Sequence, residues 1–288
     1  MTAWTDLGGG IHVRQSRAFQ MNSVLLLHAD HGLLVDPGVL PSELDDIAAR
    51  VRAAAPAAVT LVFTHAHWDH VLGLPWWPSA DTLAHDRFAH DLERTMAWVH
   101  EEADGLAAKH GEQWPKPFER FRVKQRVAGL HFTRIGPWRV VIRDAFGHSE
   151  SQLSVHLPEQ RVLIAADMLS DIEIPTCNAP PSLYRATLAE LGPLIAGGAV
   201  ETIIPGHGPI ARGREAVERS FARDRDYLDA LDREVRRLRA AGRTLTEAQQ
   251  ALAGMPDIER HADYPMKEIH AENVQLAYEE LGAVRSAR

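Results

Sequence analysis

One cysteine, Cys177, stands in a chain of 288 residues. An internal disulfide is therefore ruled out, and the composition suits a reducing compartment, so a cytoplasmic location is the expectation. Long apolar runs are missing as well. None approaches the roughly 18 residues that a membrane-spanning helix needs, so no membrane partner is expected. The opening stretch, MTAWTDLGGG, has neither a basic segment nor an apolar core and reads as no secretory signal. Basic residues are in short supply: 31 Lys and Arg stand against 39 Asp and Glu, for a formal net charge of −8. Nucleic-acid binding depends on Lys and Arg at the phosphates, so this balance speaks against a nucleic-acid partner. No repeat or low-complexity tract appears. What remains is 45% hydrophobic and 24% charged, ordinary for a globular protein, with 16 histidines, several of them clustered.

Hydrophobic periodicity predicts alternating strands and helices, an α/β pattern. VLLLHADHGLLVDPG (24–38) reads as two apolar strands around a polar turn, Ala29 to Gly32. PSELDDIAARVRAAA (41–55) reads as a helix with apolar positions at 44, 47, 48 and 51, and with Ser42 and Asp45 in capping-box spacing. AVTLVF (58–63) is β-branched and apolar, a buried strand. Residues 84–112 predict a helix, and 114–138, rich in Pro, Arg and aromatics, resist assignment. Strands return at 138–144, 152–157, 161–166 and 200–204, with a helix at 182–196 capped by Ser182. From about 212 the pattern turns helical, 212–241 closing at Gly242 and 265–281 closing at Gly282. Tyr227, Leu228, Leu231, Val235 and Leu238 form one apolar stripe. It is expected to pack on the body of the chain, with a homodimer contact as the alternative.

The histidine-rich run THAHWDH (64–70) follows the strand at 58–63 directly. His148 in FGHSE, Asp167 after VLIAA and His207 in PGHGP each follow another predicted strand. The carboxyl ends of strands are where open α/β sheets collect their chemistry. Four strand ends therefore deliver His65, His67, Asp69, His70, His148, Asp167 and His207 to one edge. Imidazole nitrogen and carboxylate oxygen both bind Zn²⁺. His65 and His67, two apart on an extended segment, point the same way. With His148 they make a three-histidine cage with an open position. Asp69, His70 and His207 address a neighbouring point, and the Asp167 carboxylate is free to bridge two ions. Taken singly, His148 and His207 would be ordinary histidines and Asp167 a turn residue; the 65–70 run changes that weighting. Asp36 in DPG reads as a turn residue, Cys177 as an inert thiol, and Trp76 and Trp77 as core before substrate wall. His270 and Asn273, three apart on the last helix, share a face that is a candidate pocket wall.

In this order and these strand contexts, HAHWDH, His148, Asp167 and His207 resemble the metallo-β-lactamase superfamily over roughly residues 11–210. Asp36 matches an aspartate that often supports the ligands there. The resemblance implies an αββα sandwich with a dinuclear metal site at the open edge between the sheets. Two Zn²⁺ are the expected cofactors, with iron or manganese as alternatives. The sandwich is assigned to 1–211 and a C-terminal helical extension to 212–288. The long step from His70 to His148 leaves room for a lid insertion at 84–135.

Within that superfamily, the presence of Asp167, and of no cysteine on a candidate ligand loop, points away from the dedicated β-lactamases. Glyoxalase II-like thioesterases and lactonases share the full ligand set. The chain departs from both. Ser170 stands where acyl-homoserine lactonases carry a tyrosine, and MLSDIEIPTCN is not a glutathione-binding loop. The expected activity is dinuclear-metal-dependent hydrolysis of an ester, thioester or lactone in a small-molecule substrate. A metal-bridging hydroxide, made available by lowering the pKa of water toward ~7, would attack, with Asp69 as the catalytic residue that holds it. The alternatives are a mononuclear-iron persulfide dioxygenase-like oxidoreductase, a β-lactam hydrolase and a non-catalytic binding scaffold.

Overall fold

The structure is a computed structural model that describes residues 3–255 and 264–286. Two sheets lie against each other. The 7-stranded sheet runs in chain order. Its first four strands, β1 (Ala3–Gly8), β2 (Ile11–Gln15), β3 (Asn22–Leu27) and β4 (His31–Val35), are antiparallel neighbours. Helix α1 (Pro41–Ala54) then crosses over, and β5 (Ala58–Val62), β6 (Asp81–His85) and β7 (Gln125–Val127) add in parallel. Between β6 and β7 runs the long helix α2 (Phe88–Lys109).

The 6-stranded sheet contains β8 (His131–Ile135), β9 (Trp138–Asp144), β10 (Leu153–Leu157) and β11 (Val162–Ala166), antiparallel in sequence. Helix α3 (Pro181–Ala196) leads to β12 (Thr202–Pro205), parallel to β11, and β13 (Ala211–Arg212) closes that edge. Three helices follow: α4 (Arg214–Ala240), α5 (Leu245–Leu252) and α6 (Met266–Ser286). No helix among the described residues is long and apolar enough to cross a membrane.

Side-chain alternation explains the layering. On β3 and β4, Val24, Leu26, Leu33 and Val35 face the second sheet and pack with Val140, Ile142, Val155, Ile164 and Ile204. Their neighbours Leu25 and Leu34 face the other way, onto Leu44, Ile47, Ala48 and Val51 of α1. The outer face of the second sheet, with Leu163, Ala165 and Ile203, packs on α3 and on the C-terminal helices. Strands buried on both faces read as unbroken apolar runs, which is why VLLL and VLIAA lack alternation. The result is the expected αββα sandwich. The stripe Tyr227, Leu228, Leu231, Val235 and Leu238 is buried in that last cluster, against the chain's own body.

Several sequence expectations need correction. Residues 81–85 form a strand where a helix was expected from 84, because pairing with β5 buries Thr82, Leu83, Ala84 and His85. The 84–135 stretch is therefore not one insertion: β6, β7 and β8 are sheet strands, and α2 with residues 110–124 is what stands outside them. No Ser42–Asp45 capping box forms. Pro41 occupies the first turn of α1, Ser42 bonds Glu112, and Asp45 accepts the Trp76 indole N–H. Ser182 does not cap α3, which starts at Pro181. Gly242, with φ +73°, does follow the end of α4. Gly282 does not end α6, which runs on to Ser286. Strands β1 and β2 and helix α5, with its Thr244–Glu247 capping box, were not read from the sequence.

Candidate metal site

Each candidate residue sits just past a strand end, and all of them converge. Ligand atoms of His65, His67, His148 and Asp167 lie within 4.8 Å of one another, as do those of Asp69, His70 and His207. Asp167 lies between the two groups. Its Oδ2 is 3.2 Å from His148 Nε2 and 3.6 Å from His65 Nε2. Its Oδ1 is 3.2 Å from His70 Nε2, and His207 Nε2 is 3.5 Å from Oδ2. Asp69 Oδ2 is 3.2 Å from His207 Nε2 and 3.7 Å from His70 Nε2.

The outward nitrogens of four rings are pinned, which settles where their inward lone pairs point. His70 Nδ1–H donates to Asp36 Oδ2 at 2.9 Å. His148 Nδ1–H donates to the Thr176 carbonyl and His207 Nδ1–H to the Phe19 carbonyl, each at 3.0 Å. His65 Nδ1–H donates to Thr64 Oγ1 at 3.0 Å, whose own hydroxyl is committed to Asp36 at 2.5 Å. Such partners select the tautomer and aim the other nitrogen. Asp36 also accepts the Thr64 N–H at 2.8 Å. Asp36 is thus more than a turn residue: it orients His70 directly and His65 through Thr64.

Inside this ring, the donors do not satisfy one another. His65 Nε2, His70 Nε2 and Asp167 Oδ1 are buried without a hydrogen bond of ordinary geometry, and His148 Nε2 faces His67 Nδ1 at 2.9 Å, nitrogen to nitrogen. Buried polar atoms are nearly always partnered. Lone pairs aimed at common points are the arrangement that a cation would satisfy, so these residues fit divalent metal.

The electrostatics carry the same imbalance. Burial, reinforced by His70 and His67, holds His65 well below 6.5, and burial with His148 lowers His67 to about 3. For His70 and His207 burial also pulls downward, but the carboxylates, Asp167 first, overcome it and hold both well above 6.5. Burial pushes Asp69 and Asp167 upward, and the surrounding imidazoles, His70 first, overcome that and keep both below 3.8.

The turn that carries Asp167 is strained. Ala166 (φ +51°) and Leu169 (φ +61°) both occupy the left-handed region. That conformation costs on the order of 1–3 kcal/mol for a residue with a Cβ and persists only where its surroundings enforce it. Phe19 (φ +53°) and Gln20 (φ +49°) are in the same region, which puts the Phe19 carbonyl within reach of His207.

A cavity of about 700 Å³ opens over the site. His67, Asp69, His148, Asp167 and His207 line it, together with Phe19, Trp68, Trp98, Tyr264 and Ile269 as an apolar wall. Asp91, Arg94, Thr95, Trp98 and Glu102 come from α2. Trp76 and Trp77 are not part of the lining; Trp77 is core. His270 and Asn273 are not part of it either. They bond Tyr227 and tie α6 to α4, and Asn273 also holds the Cys177 and Pro175 backbone. The Cys177 thiol is buried, which pushes its pKa up, and it belongs to neither ligand group. Sequence reasoning missed Glu173, which lines the cavity and is pushed up to about 7, first by burial. The signal was there: one acid inside the apolar stretch Ile172–Ile174. Thr64 and the Phe19 carbonyl were missed too, and a backbone carbonyl leaves no mark in a sequence.

Residues 16–207 match the sequence profile of the Metallo-beta-lactamase superfamily, and the chain belongs to that superfamily. It is 25% identical over 230 residues to the acyl-coenzyme A thioesterase MBLAC2 of Gallus gallus, a match covering 71% of this chain and 80% of that one. A probable metallo-hydrolase of Streptococcus pyogenes serotype M6 is 24% identical over 201 residues, covering 65% of this chain and 79% of the relative. Among solved structures, the sec-alkylsulfatase Pisa1 of Pseudomonas sp. superposes on 97% of the chain with a TM-score of 0.72 at 13% identity. The chain spans half the length of that enzyme. A metallo-beta-lactamase of Pontibacter korlensis superposes on 77% of the chain and 98% of its own, with a TM-score of 0.55 at 15% identity. These two likenesses concern the fold. Superfamily membership and the two His/Asp groups together define a divalent-metal site of the metallo-hydrolase kind.

Proposed function

We propose that the chain is a dinuclear-metal-dependent hydrolase of an ester, thioester or lactone. The observation that carries this reading is the Asp167 carboxylate standing between two groups of inward-facing, unsatisfied donors. His65 Nε2, His67 Nδ1 and His148 Nε2 would hold one ion. Asp69, His70 Nε2 and His207 Nε2 would hold the other, with Asp167 shared. Zinc suits this nitrogen and oxygen set, with iron or manganese as alternatives. Bound there, the ions supply a water of lowered pKa and polarise a carbonyl oxygen. Asp69 lines the cavity with Oδ2 committed toward His207, so its other oxygen orients the attacking water and takes its proton. Phe19, Trp68 and Trp98 receive the apolar part of the substrate. Asp91, Glu102, Glu150 and Glu173 outnumber Arg94 in the lining, which favours uncharged acyl groups over anionic ones. Helix α2, in place of the wider 84–135 segment, sets the substrate range. The acyl-coenzyme A thioesterase relative supports carbonyl chemistry.

The test is a hydrolysis screen over thioesters, lactones, aryl esters, phosphodiesters and β-lactams, with metal content measured on the same preparation, purified without added metal. The expected result is two zinc ions per chain and turnover of a carbonyl ester. Asp69→Asn should lower kcat by about a hundredfold or more, in the range of a lost general base. One iron with oxygen uptake would replace the reading by a persulfide dioxygenase-like reaction. Turnover of β-lactams alone would make the chain a β-lactamase.

A further inference from the structure

Both backbone hydrogen-bonding groups of Leu169 are anchored, and both anchors come from α4. The Leu169 N–H donates to Asp224 Oδ2 at 2.8 Å, and the Leu169 carbonyl accepts from Ser220 Oγ at 2.5 Å. Ser220 and Asp224 are four residues apart on the helix and so share a face. They are 2% and 1% exposed. Asp224 Oδ2 also accepts the Tyr184 hydroxyl of α3 at 2.7 Å, which fixes the carboxylate itself.

Leu169 needs this hold. It and Ala166 are the two left-handed residues of the turn, and between them lie only Asp167 and Met168. The Met168 N–H closes the turn onto the Ala166 carbonyl at 2.8 Å, and one residue further Ser170 Oγ bonds the His207 carbonyl at 2.9 Å. Releasing Leu169 would let the turn relax toward ordinary backbone angles. That relaxation rotates the carboxylate of Asp167 away from one of the two groups it spans.

We propose that Asp224 and Ser220 are positioning residues for the bridging carboxylate: α4 clamps the Leu169 peptide and thereby keeps Asp167 between the two ligand groups. The inference rests on the two-ion reading above. Helix α4 lies outside the 16–207 stretch that matches the superfamily, so the clamp is supplied by the part of the chain beyond that match. A merely structural pair would lower the melting temperature and leave the ion affinities of the folded protein alone. A positioning pair changes the affinity for one ion, as outer partners of metal ligands do, by about 10–100-fold.

The experiment titrates the full-length, metal-free chain with Co²⁺ in competition with a chelator and follows the visible absorption bands. Variants are Asp224→Ala, Asp224→Asn and Ser220→Ala, each checked for folding by circular dichroism. Asp224→Ala is expected to bind one equivalent with wild-type affinity, bind the second at least tenfold more weakly, and show altered bands. Ser220→Ala weakens the same step severalfold. Asp224→Asn, which keeps an oxygen acceptor, restores most of it. Wild-type affinities and bands in folded Asp224→Ala would overturn the proposal, as would the same result in folded Ser220→Ala should Asp224→Ala fail to fold. A wild-type chain that takes up fewer than two equivalents would remove the two-ion reading and this inference with it.

Discussion

At the scale of single residues, the site is governed by which nitrogen of each imidazole carries the proton. Asp36 is the most connected of the groups that decide this, with Thr64 and His70 both bonded to it. Asp36→Asn leaves the backbone undisturbed, since Asn tolerates φ +48°. It replaces an acceptor of three hydrogen bonds by an amide with one oxygen. Metal affinity is expected to fall about 10–100-fold, measured by chelator competition. Protons give a second prediction. A histidine held above 6.5 adds stability that is complete below that pH and is lost as pH rises through its higher folded value; His70 and His207 behave this way. A carboxylate held below 3.8 adds stability present above that pH and lost as pH falls through its lower value; Asp69 and Asp167 behave that way. His65 and His67 resist protonation and subtract stability as pH falls below 6.5. The carboxylates thus favour the protonated forms of His70 and His207 in the metal-free protein, and an ion must displace those protons. Affinity should rise with pH through neutrality, and calorimetry in buffers of different ionisation heat should show protons released. Uptake at pH 7 without proton release would contradict this.

At the scale of elements, the loops after β5, β9, β11 and β12 bring the candidate ligands together, and their packing leaves little slack. The loop after β12 crosses close to the turn after β11, where the Gly206 N–H bonds the Ala166 carbonyl at 2.5 Å and a Cβ on Gly206 would overlap Asp167 Oδ1. Gly206→Ala should therefore displace the Asp167 carboxylate and lower metal uptake a hundredfold or more by atomic absorption, with circular dichroism unchanged. If uptake survives, Asp167 is not held where the geometry puts it. Strands with apolar runs, β3, β4, β5 and β11, were legible because burial on both faces needs that composition, and β10 was legible from the alternation in LSVHL. β6 was not: Asp81–His85 carries two charged or titratable ends, and only its pairing with β5 makes it a strand. The helix caps failed for a related reason. Ser42 had Glu112 as a better partner, 70 positions away, and Pro41 already satisfied the first turn.

At the scale of the whole molecule, the helices α3 to α6 close the outer face of the second sheet. A chain ending after Arg212 would keep α3 but uncover its apolar side toward α4 and the part of β12 that α4 covers. An apolar area of that kind drives association. Such a truncation is expected to aggregate or to bind a hydrophobic dye, and to lose metal along with its fold. A monomeric truncated chain with metal affinity intact would show the helices to be accessory. The exposed Trp98, 68% accessible on α2 over the cavity, fits a wall that meets substrate from solvent.

Residue chemistry and local order determined much of this in advance. His and Asp at the carboxyl ends of apolar strands, in that succession, define both the layered architecture and the candidate ligands, because few other arrangements bury those strands and leave those side chains at an edge. Partners far apart in the chain were decided only by folding. The Phe19 carbonyl beside His207, the Asp224 carboxylate under Leu169 and the acid Glu173 in the cavity wall all depend on how layers stack. No local pattern encodes the distance between two layers.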